Sequence, residues 1–225
     1  MSQYAKYMVF STLMLGLLFD MDGVLVHSMP LHTLAWERYL KGLGITVEDL
    51  EQRMHGKRNS ELVADLIGTG LDDDVVFGHG AEKERVFREM MLAEGIEKYR
   101  VPGLTEFLEK HKQWPMAIGS NAEPKNIDFT LDHFGLRPYF RVTVNGHQVD
   151  RPKPFPDIYL KAAELLGMEP HRCVVFEDSP TGVAAGVAAG MKVVGVETTP
   201  TEFQGVAISI KDFTDPRLEE WLARQ

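Results

Sequence analysis

The chain is nearly devoid of cysteine. Cys173 is the single one among 225 residues, so no intrachain disulfide can form. It opens the apolar run Cys173-Val174-Val175-Phe176, which suits a buried thiol in a reducing compartment and offers nothing that would activate it as a nucleophile. Positive charge is also short: 24 Lys and Arg stand against 33 Asp and Glu, a formal net charge of −9. That balance argues against nucleic acid and anionic membranes as partners. An anionic substrate would have to be drawn in by a local site rather than by the global field. Long apolar runs are missing too. Residues 7–19 are largely apolar and follow Lys6, in the manner of a weak signal sequence, but the stretch is too short for a typical membrane span. No small-residue cleavage pattern follows it. A cytoplasmic location is the expectation, with the first dozen residues an extension ahead of the first strand. There is no internal repeat or low-complexity tract. What is present is ordinary for a globular chain, 44% hydrophobic and 25% charged, enough for one large domain or a core with a small second domain.

The most informative stretch is Leu15-Gly16-Leu17-Leu18-Phe19-Asp20-Met21-Asp22-Gly23-Val24-Leu25. Residues 15–19 read as a strand buried on both faces. Two carboxylates one residue apart at its end are costly together unless something positive lies beside them. Mg²⁺ is the obvious candidate, as a cation that takes hard oxygen ligands. Gly23 would let the chain turn away sharply and keep side chains off the site. On this stretch alone, a strand followed by a simple Asp-Gly turn is the alternative.

Along the rest of the chain, Pro30 and the helical spacing of residues 32–40 predict a helix that Gly42 and Gly44 end. Short helices are expected over 45–53 and 61–67, a polar turn over 54–61, a loop over 68–74 and a long amphipathic helix over 81–94. Residues 31–99 thus read as helices only. From residue 101 the pattern alternates: helix 104–112, strand 115–119, helix 124–134, strand 140–144, helix 157–166, strand 173–176, helix 181–189, strands 193–196 and 206–210, helix 216–223. That is an α/β fold, a Rossmann-like doubly wound parallel sheet. Residues 1–29 and 100–225 form the core, with 30–99 inserted as a helical cap.

In such sheets ligands bind outside the carboxyl ends of the strands. Asp20 and Asp22 end the first strand. Gly119-Ser120-Asn121 ends the second core strand, where a hydroxyl and backbone N–H groups at a helix start suit a phosphoryl group; an N-cap with a turn is compatible with the same residues. Lys153 sits in Arg151-Pro152-Lys153-Pro154-Phe155-Pro156, where three prolines are expected to hold the loop extended. Glu177-Asp178-Ser179 ends a further strand, as a helix cap before Pro180 or as a metal site.

These four segments, in this order, resemble the four motifs of the haloacid dehalogenase-like hydrolases. Residues 153–196, with Phe176-Glu177-Asp178-Ser179 and the glycines from Gly182 to Gly190, are especially similar to the β-phosphoglucomutase-like branch, which carries a helical cap inserted after the first motif. The resemblance implies that Asp20 is a nucleophile forming an aspartyl-phosphate and that Asp22 is the general acid/base. Ser120 would bind the transferring phosphate and Lys153 would neutralise nucleophile and phosphoryl oxygens. Mg²⁺ would be held by Asp20, Asp178 and the backbone carbonyl of Asp22, with Glu177 supporting it directly or through water. Gly23 and Asn121 are expected next to the substrate.

The cap should choose between water and a sugar hydroxyl as second nucleophile, hence between phosphatase and phosphomutase. His32-Thr33-Leu34-Ala35-Trp36 is similar to a segment of β-phosphoglucomutases, which makes His32 and Trp36 candidates for substrate contact; two ordinary residues of an amphipathic helix are the alternative. Lys57, Arg58 and Lys83 are further candidates, each with a solvated surface cation as the plainer reading. Two departures disfavour the mutase. His27 stands where many branch members carry an aspartate, and Arg58 falls two residues after Gly56, one earlier than the arginine of mutases that read a second phosphate. The expectation is therefore a monomeric, Mg²⁺-dependent phosphatase of a small phosphorylated metabolite, such as a sugar phosphate. A phosphohexomutase is the alternative. A non-catalytic phosphate-binding protein would be expected to have lost Asp20, Asp22, Lys153 or Asp178, and all four are present. A haloacid dehalogenase would need neither Asp22 nor the Glu177–Asp178 pair.

Overall fold

The computed structural model describes residues 14–54, 57–199 and 201–225; the first dozen residues and the cap-turn residues His55 and Gly56 lie outside them. The chain folds into two compact units. Among the described residues, one comprises 14–27 and those from 100 onward, the other those between 28 and 99.

The larger unit is built on β1 (Gly16–Phe19). Helices and strands then alternate: α5 (Leu104–Lys110), β2 (Met116–Ser120), α6 (Pro124–His133), β3 (Val142–Asn145), α7 (Asp157–Leu166), β4 (Cys173–Glu177), α8 (Pro180–Ala188), β5 (Lys192–Val196), β6 (Ile208–Ile210) and α9 (Pro216–Leu222). The six strands form one parallel sheet in the order β3-β2-β1-β4-β5-β6. All of β1, β2 and β4 is buried, as the two-sided apolar runs require.

The two faces of the sheet carry different cores. Phe19 and Phe176 are register partners on β1 and β4, so they share a face, where their rings stack 4.6 Å apart. Phe107 of α5 and Phe213 pack edge-on or tilted around them. On the opposite face Leu18, Ala117 and Val175 meet Ile158, Tyr159, Ala162 and Ala163 of α7 and Val183 and Ala185 of α8. The small residues of α8 let it lie close: a Cβ on Gly186 would come within 2.8 Å of Val193. The chain leaves this unit after Val26 and re-enters beside it, since Val26 bridges to Arg100 and the Val101 N–H donates to the Leu25 carbonyl at 3.2 Å.

The smaller unit contains α1 (Met29–Gly42), α2 (Leu50–Met54), α3 (Asn59–Leu66) and α4 (Asp73–Glu94). Trp36, Leu40, Leu50, Met54, Leu62, Val63 and Leu66 form its core. Two expectations are corrected here. α4 begins at Asp73 rather than at residue 81, despite Gly78 and Gly80. Asp73 and Asp74 complement the helix dipole in the first turn, and Val76 packs against the core. The helix expected over 45–53 is limited to Leu50–Met54, because Ile45 and Val47 pack against the core from an irregular segment.

Phe107→Ala should leave a cavity in the stacked phenyl core and lower stability by about 3–5 kcal/mol. Urea unfolding followed by circular dichroism checks this; a midpoint within error of the wild type would show that the cluster carries no such load.

Candidate active site

The parallel register brings the motif residues to one edge. Phe19 pairs with Phe176 on one side and Ile118 on the other, so Asp20, Glu177 and Ser120 emerge from three adjacent strands at their carboxyl ends. The Asp20 N–H still donates to the Phe176 carbonyl at 3.0 Å. Beyond it the chain turns tightly, with the Gly23 N–H on the Val26 carbonyl at 2.7 Å.

Lys153 joins the strands electrostatically. Its Nζ donates to Asp20 Oδ1 at 2.8 Å and to Glu177 Oε1 at 2.6 Å, and all three side chains are buried. The loop that presents it is not extended as the prolines predict. The Phe155 N–H closes a turn on the Pro152 carbonyl at 3.0 Å, across a cis Lys153–Pro154 peptide bond. Asn121 Oδ1 accepts the Lys153 backbone N–H at 3.4 Å, so this residue anchors the lysine loop. Ser120 is buried, and its Oγ accepts the Ala122 N–H at 3.2 Å.

Glu177 is surrounded by donors. Oε1 takes Lys153 and, at 2.6 Å, the Tyr159 hydroxyl. Oε2 takes the N–H groups of Asp178 and Ser179 and the Ser179 hydroxyl at 3.1–3.3 Å. A Cβ on Gly182 would fall 1.8 Å from Glu177 Oε1, so α8 can start here only with a glycine in that place. Asp178 is held differently: Oδ2 accepts the Thr199 hydroxyl at 2.5 Å. A Cβ on Gly23 would lie 1.9 Å from that same Oδ2, and Gly23 has φ +78°. Both close approach and backbone conformation therefore demand glycine at 23. Thr198 donates to the Gly23 carbonyl, tying the loop after β5 to the first turn.

Charge is unbalanced at this edge. Burial pushes the Asp20 carboxyl up to about 7, with the Glu177 and Asp22 carboxylates adding to the rise and Lys153 opposing it. Burial, Glu177 and Asp20 push Asp178 well above the carboxylate range. Burial works to lower Lys153, but Asp20 and Glu177 hold it above its ordinary value, so it remains a cation. Burial raises the Tyr159 hydroxyl well above its usual range, so it remains a donor. Asp20, Glu177 and Asp178 each offer an oxygen, all within 4.8 Å of one another. Asp20 Oδ2 and Asp178 Oδ1 accept no hydrogen bond from the described residues. An all-oxygen acidic set with excess negative charge fits a divalent metal. The neighbours Tyr159, Thr198 and Thr199 were given no role in the sequence, whereas Gly182 opens the glycine-containing stretch that carries the resemblance. Only Gly182, three residues after a capping Ser179, carried any local signal.

The helical unit corrects one expectation. Lys83 is not a solvated cation: it is 2% exposed. Its Nζ lies 2.6 Å from Glu84 Oε1, 3.1 Å from His32 Nδ1 and 5.4 Å from the Trp36 ring centroid. Asn59 donates to Glu84 Oε1 at 2.7 Å, and the His32 ring stacks on Phe87 at 3.9 Å. The structure thus brings together three of the five cap candidates, His32, Trp36 and Lys83. Trp36 is fully buried, with no acceptor for its indole N–H among the described residues. Lys57 is exposed and pairs with Asp65 at 2.9 Å; Arg58 is exposed too, 3.8 Å from Glu61.

A model of the haloacid dehalogenase-like hydrolases matches residues 14–190. The fructose-1-phosphate phosphatase of Escherichia coli is 34% identical over 186 residues, spanning 80% of this chain and 95% of that protein. The beta-phosphoglucomutase of Bacillus subtilis is 28% identical over 191 residues, 81% and 83% of the respective chains. Among solved structures, a HAD hydrolase of family IA, variant 3, from Entamoeba histolytica has a TM-score of 0.83 at 26% identity, covering 93% of this chain and 98% of that one.

Two outcomes follow from the geometry. Gly23→Ala should displace Asp178 and abolish divalent-metal binding measured by titration calorimetry; wild-type affinity would show that the turn can yield. Burial works to raise Glu84, but Lys83, His32 and Asn59 overcome it and hold the carboxyl at about 2. Its folded value lies below the ordinary 4.5, so its contribution to stability is full above about pH 4.5 and is lost as pH falls toward about 2. Glu84→Gln should flatten the acid limb of thermal stability in that window; a limb identical to wild type would assign acid sensitivity elsewhere.

Proposed function

The chain belongs to the haloacid dehalogenase-like hydrolases, and we propose that within this family it is a Mg²⁺-dependent phosphatase of a small sugar phosphate. The observation that carries this reading is the buried Lys153 ammonium between Asp20 and Glu177, at the edge where Asp22, Ser120 and Asp178 also emerge. The relatives support the substrate class, since one acts on fructose 1-phosphate. Mg²⁺ fits the donor set, with Asp20, Asp178 and the Asp22 carbonyl as its ligands. Glu177, with both oxygens already given protein donors, supports the site from behind. When bound, the cation would supply charge neutralisation for nucleophile and phosphoryl group.

In this reading the Asp20 carboxylate attacks phosphorus while the bond to the leaving oxygen breaks, so one difficult displacement becomes two easier ones. Lys153 keeps Asp20 from repelling the anionic substrate and stabilises the phosphoryl oxygens, which the Ser120 hydroxyl also binds. Asp22 gives its proton to the leaving sugar oxygen. It then takes a proton from water, whose oxygen attacks the aspartyl-phosphate, releasing inorganic phosphate and restoring Asp20. We assign substrate selection to the helical unit, where His32, Trp36 and Lys83 form one buried group. Residues 30–99 would be the cap of a cytoplasmic monomer; no helix among the described residues is long and apolar enough to cross a membrane.

Phosphorus NMR with Mg²⁺ and a panel of sugar phosphates, including β-glucose 1-phosphate with a trace of hexose bisphosphate, is the test. Growth of inorganic phosphate is the expected result. Conversion of one monoester into its isomer without free phosphate would replace the phosphatase with a phosphomutase. Asp20→Asn should abolish turnover with the fold intact, and Asp22→Ala should cost about a hundredfold or more in kcat. Substantial turnover by Asp20→Asn would remove Asp20 as nucleophile.

A further inference from the structure

Tyr159 has no role in the phosphoryl-transfer reading, yet its side chain approaches residues of three of the four motifs. It is fully buried on α7, six residues after Lys153. Its ring lies so close to β2 that a Cβ on Gly119 would come within 3.0 Å of Cε1, and Gly119 immediately precedes Ser120. The Lys153 Nζ stands 4.9 Å from the ring centroid. The hydroxyl donates to Glu177 Oε1 at 2.6 Å, the same atom that accepts Lys153.

That sharing has a consequence for the lysine. Its ammonium is divided between Glu177 Oε1 and Asp20 Oδ1, at 2.6 and 2.8 Å. How it divides depends on the charge left on Oε1 after its other donor is counted. A hydroxyl hydrogen bond to a carboxylate is a charge-assisted one and satisfies part of that charge. Without it, Oε1 would have Lys153 alone and would draw the ammonium off Asp20. Oε2 cannot compensate, because its donors are fixed by the backbone at the start of α8.

We propose that Tyr159 is a positioning residue for phosphoryl transfer, its hydroxyl holding Glu177 so that Lys153 stays shared with Asp20. This rests on the reading of Asp20 as the nucleophile. The ring and the hydroxyl separate cleanly in Tyr159→Phe, which keeps the contact with Gly119 and the face presented to Lys153.

The experiment is a double-mutant cycle on Tyr159→Phe and Glu177→Gln in the full-length protein, with kcat and KM for the best phosphomonoester of the panel. Tyr159→Phe is expected to lower kcat about tenfold, the effect of one charge-assisted hydrogen bond, with KM changed by less than about twofold. In the Glu177→Gln background the same change is expected to cost less than about twofold, because the hydroxyl acts through Glu177. A packing role alone would give equal losses in both backgrounds and overturn the proposal, as would a Tyr159→Phe kcat within twofold of wild type. The ¹⁵N resonance of the Lys153 ammonium provides a readout free of turnover, and one that does not need Glu177→Gln to fold. It should move in Tyr159→Phe, and an unmoved resonance would sink the proposal. A wild type without phosphatase activity would instead overturn the functional reading, while the lysine resonance would still decide whether the hydroxyl sets the position of Lys153.

Discussion

One buried ammonium determines how this chain is assembled at its working edge. Lys153 sits among Asp20, Glu177 and Asp178, all buried, with Asp22 alongside. Taking a carboxylate out of water costs several kcal/mol unless a partner and hydrogen bonds compensate. Here one lysine compensates two carboxylates from two adjacent strands at once. That requirement constrains the rest: β1 and β4 must be neighbours in the observed register, the turn after Pro152 must aim the lysine back at the sheet, and Gly23 and Gly182 must leave room for the Asp178 and Glu177 carboxylates. A side chain at either glycine would occupy the position of a carboxylate oxygen.

The sheet beneath is asymmetric in a way that serves this edge. One face is locked by stacked and edge-on phenyl rings, in which Phe19 and Phe176 directly precede Asp20 and Glu177. Rigid aromatic packing next to each acid limits how far those acids can move apart under their own repulsion. The other face is lined by small and β-branched residues, and this allows α7 and α8 to approach closely. Tyr159 and the start of α8 can therefore reach Glu177 from behind.

The order of the elements was legible because each strand of the core is a short apolar run that ends in a polar group, and α6, α7 and α8 stop at Gly135, Gly167 and Gly190. Asp20, Asp22, Lys153 and Asp178 stood out because acids and a proline-bounded lysine at such ends have few ordinary uses. Tyr159 and Thr199 did not stand out. A tyrosine at an inward helical position reads as core packing, and a threonine after a strand reads as loop; only the fold shows which oxygen each one reaches. The start of α4 was missed because Gly78 and Gly80 argue locally against helix, whereas Val76 has a core to pack into.

The two buried lysines show how far one rule extends and where sequence stops reporting it. Both Lys83 and Lys153 are paired with carboxylates, as burial requires. Lys153 finds its partners 133 and 24 residues away. Its ion pairs therefore fix the strands and the loop relative to one another, and losing either acid would disturb all three. Lys83 pairs with its own neighbour Glu84, an arrangement that looks in the sequence like any charged stretch on a solvated helix face. What distinguishes it is the set of groups arriving from elsewhere: Asn59 on Glu84, and His32 and Trp36 of α1 around the ammonium. An adjacent pair costs little chain entropy to form, so by itself it specifies little; the residues that close over it do the specifying. In the larger unit the ion pairs define the tertiary arrangement, and in the smaller one the tertiary arrangement turns an ordinary pair into a buried polar core.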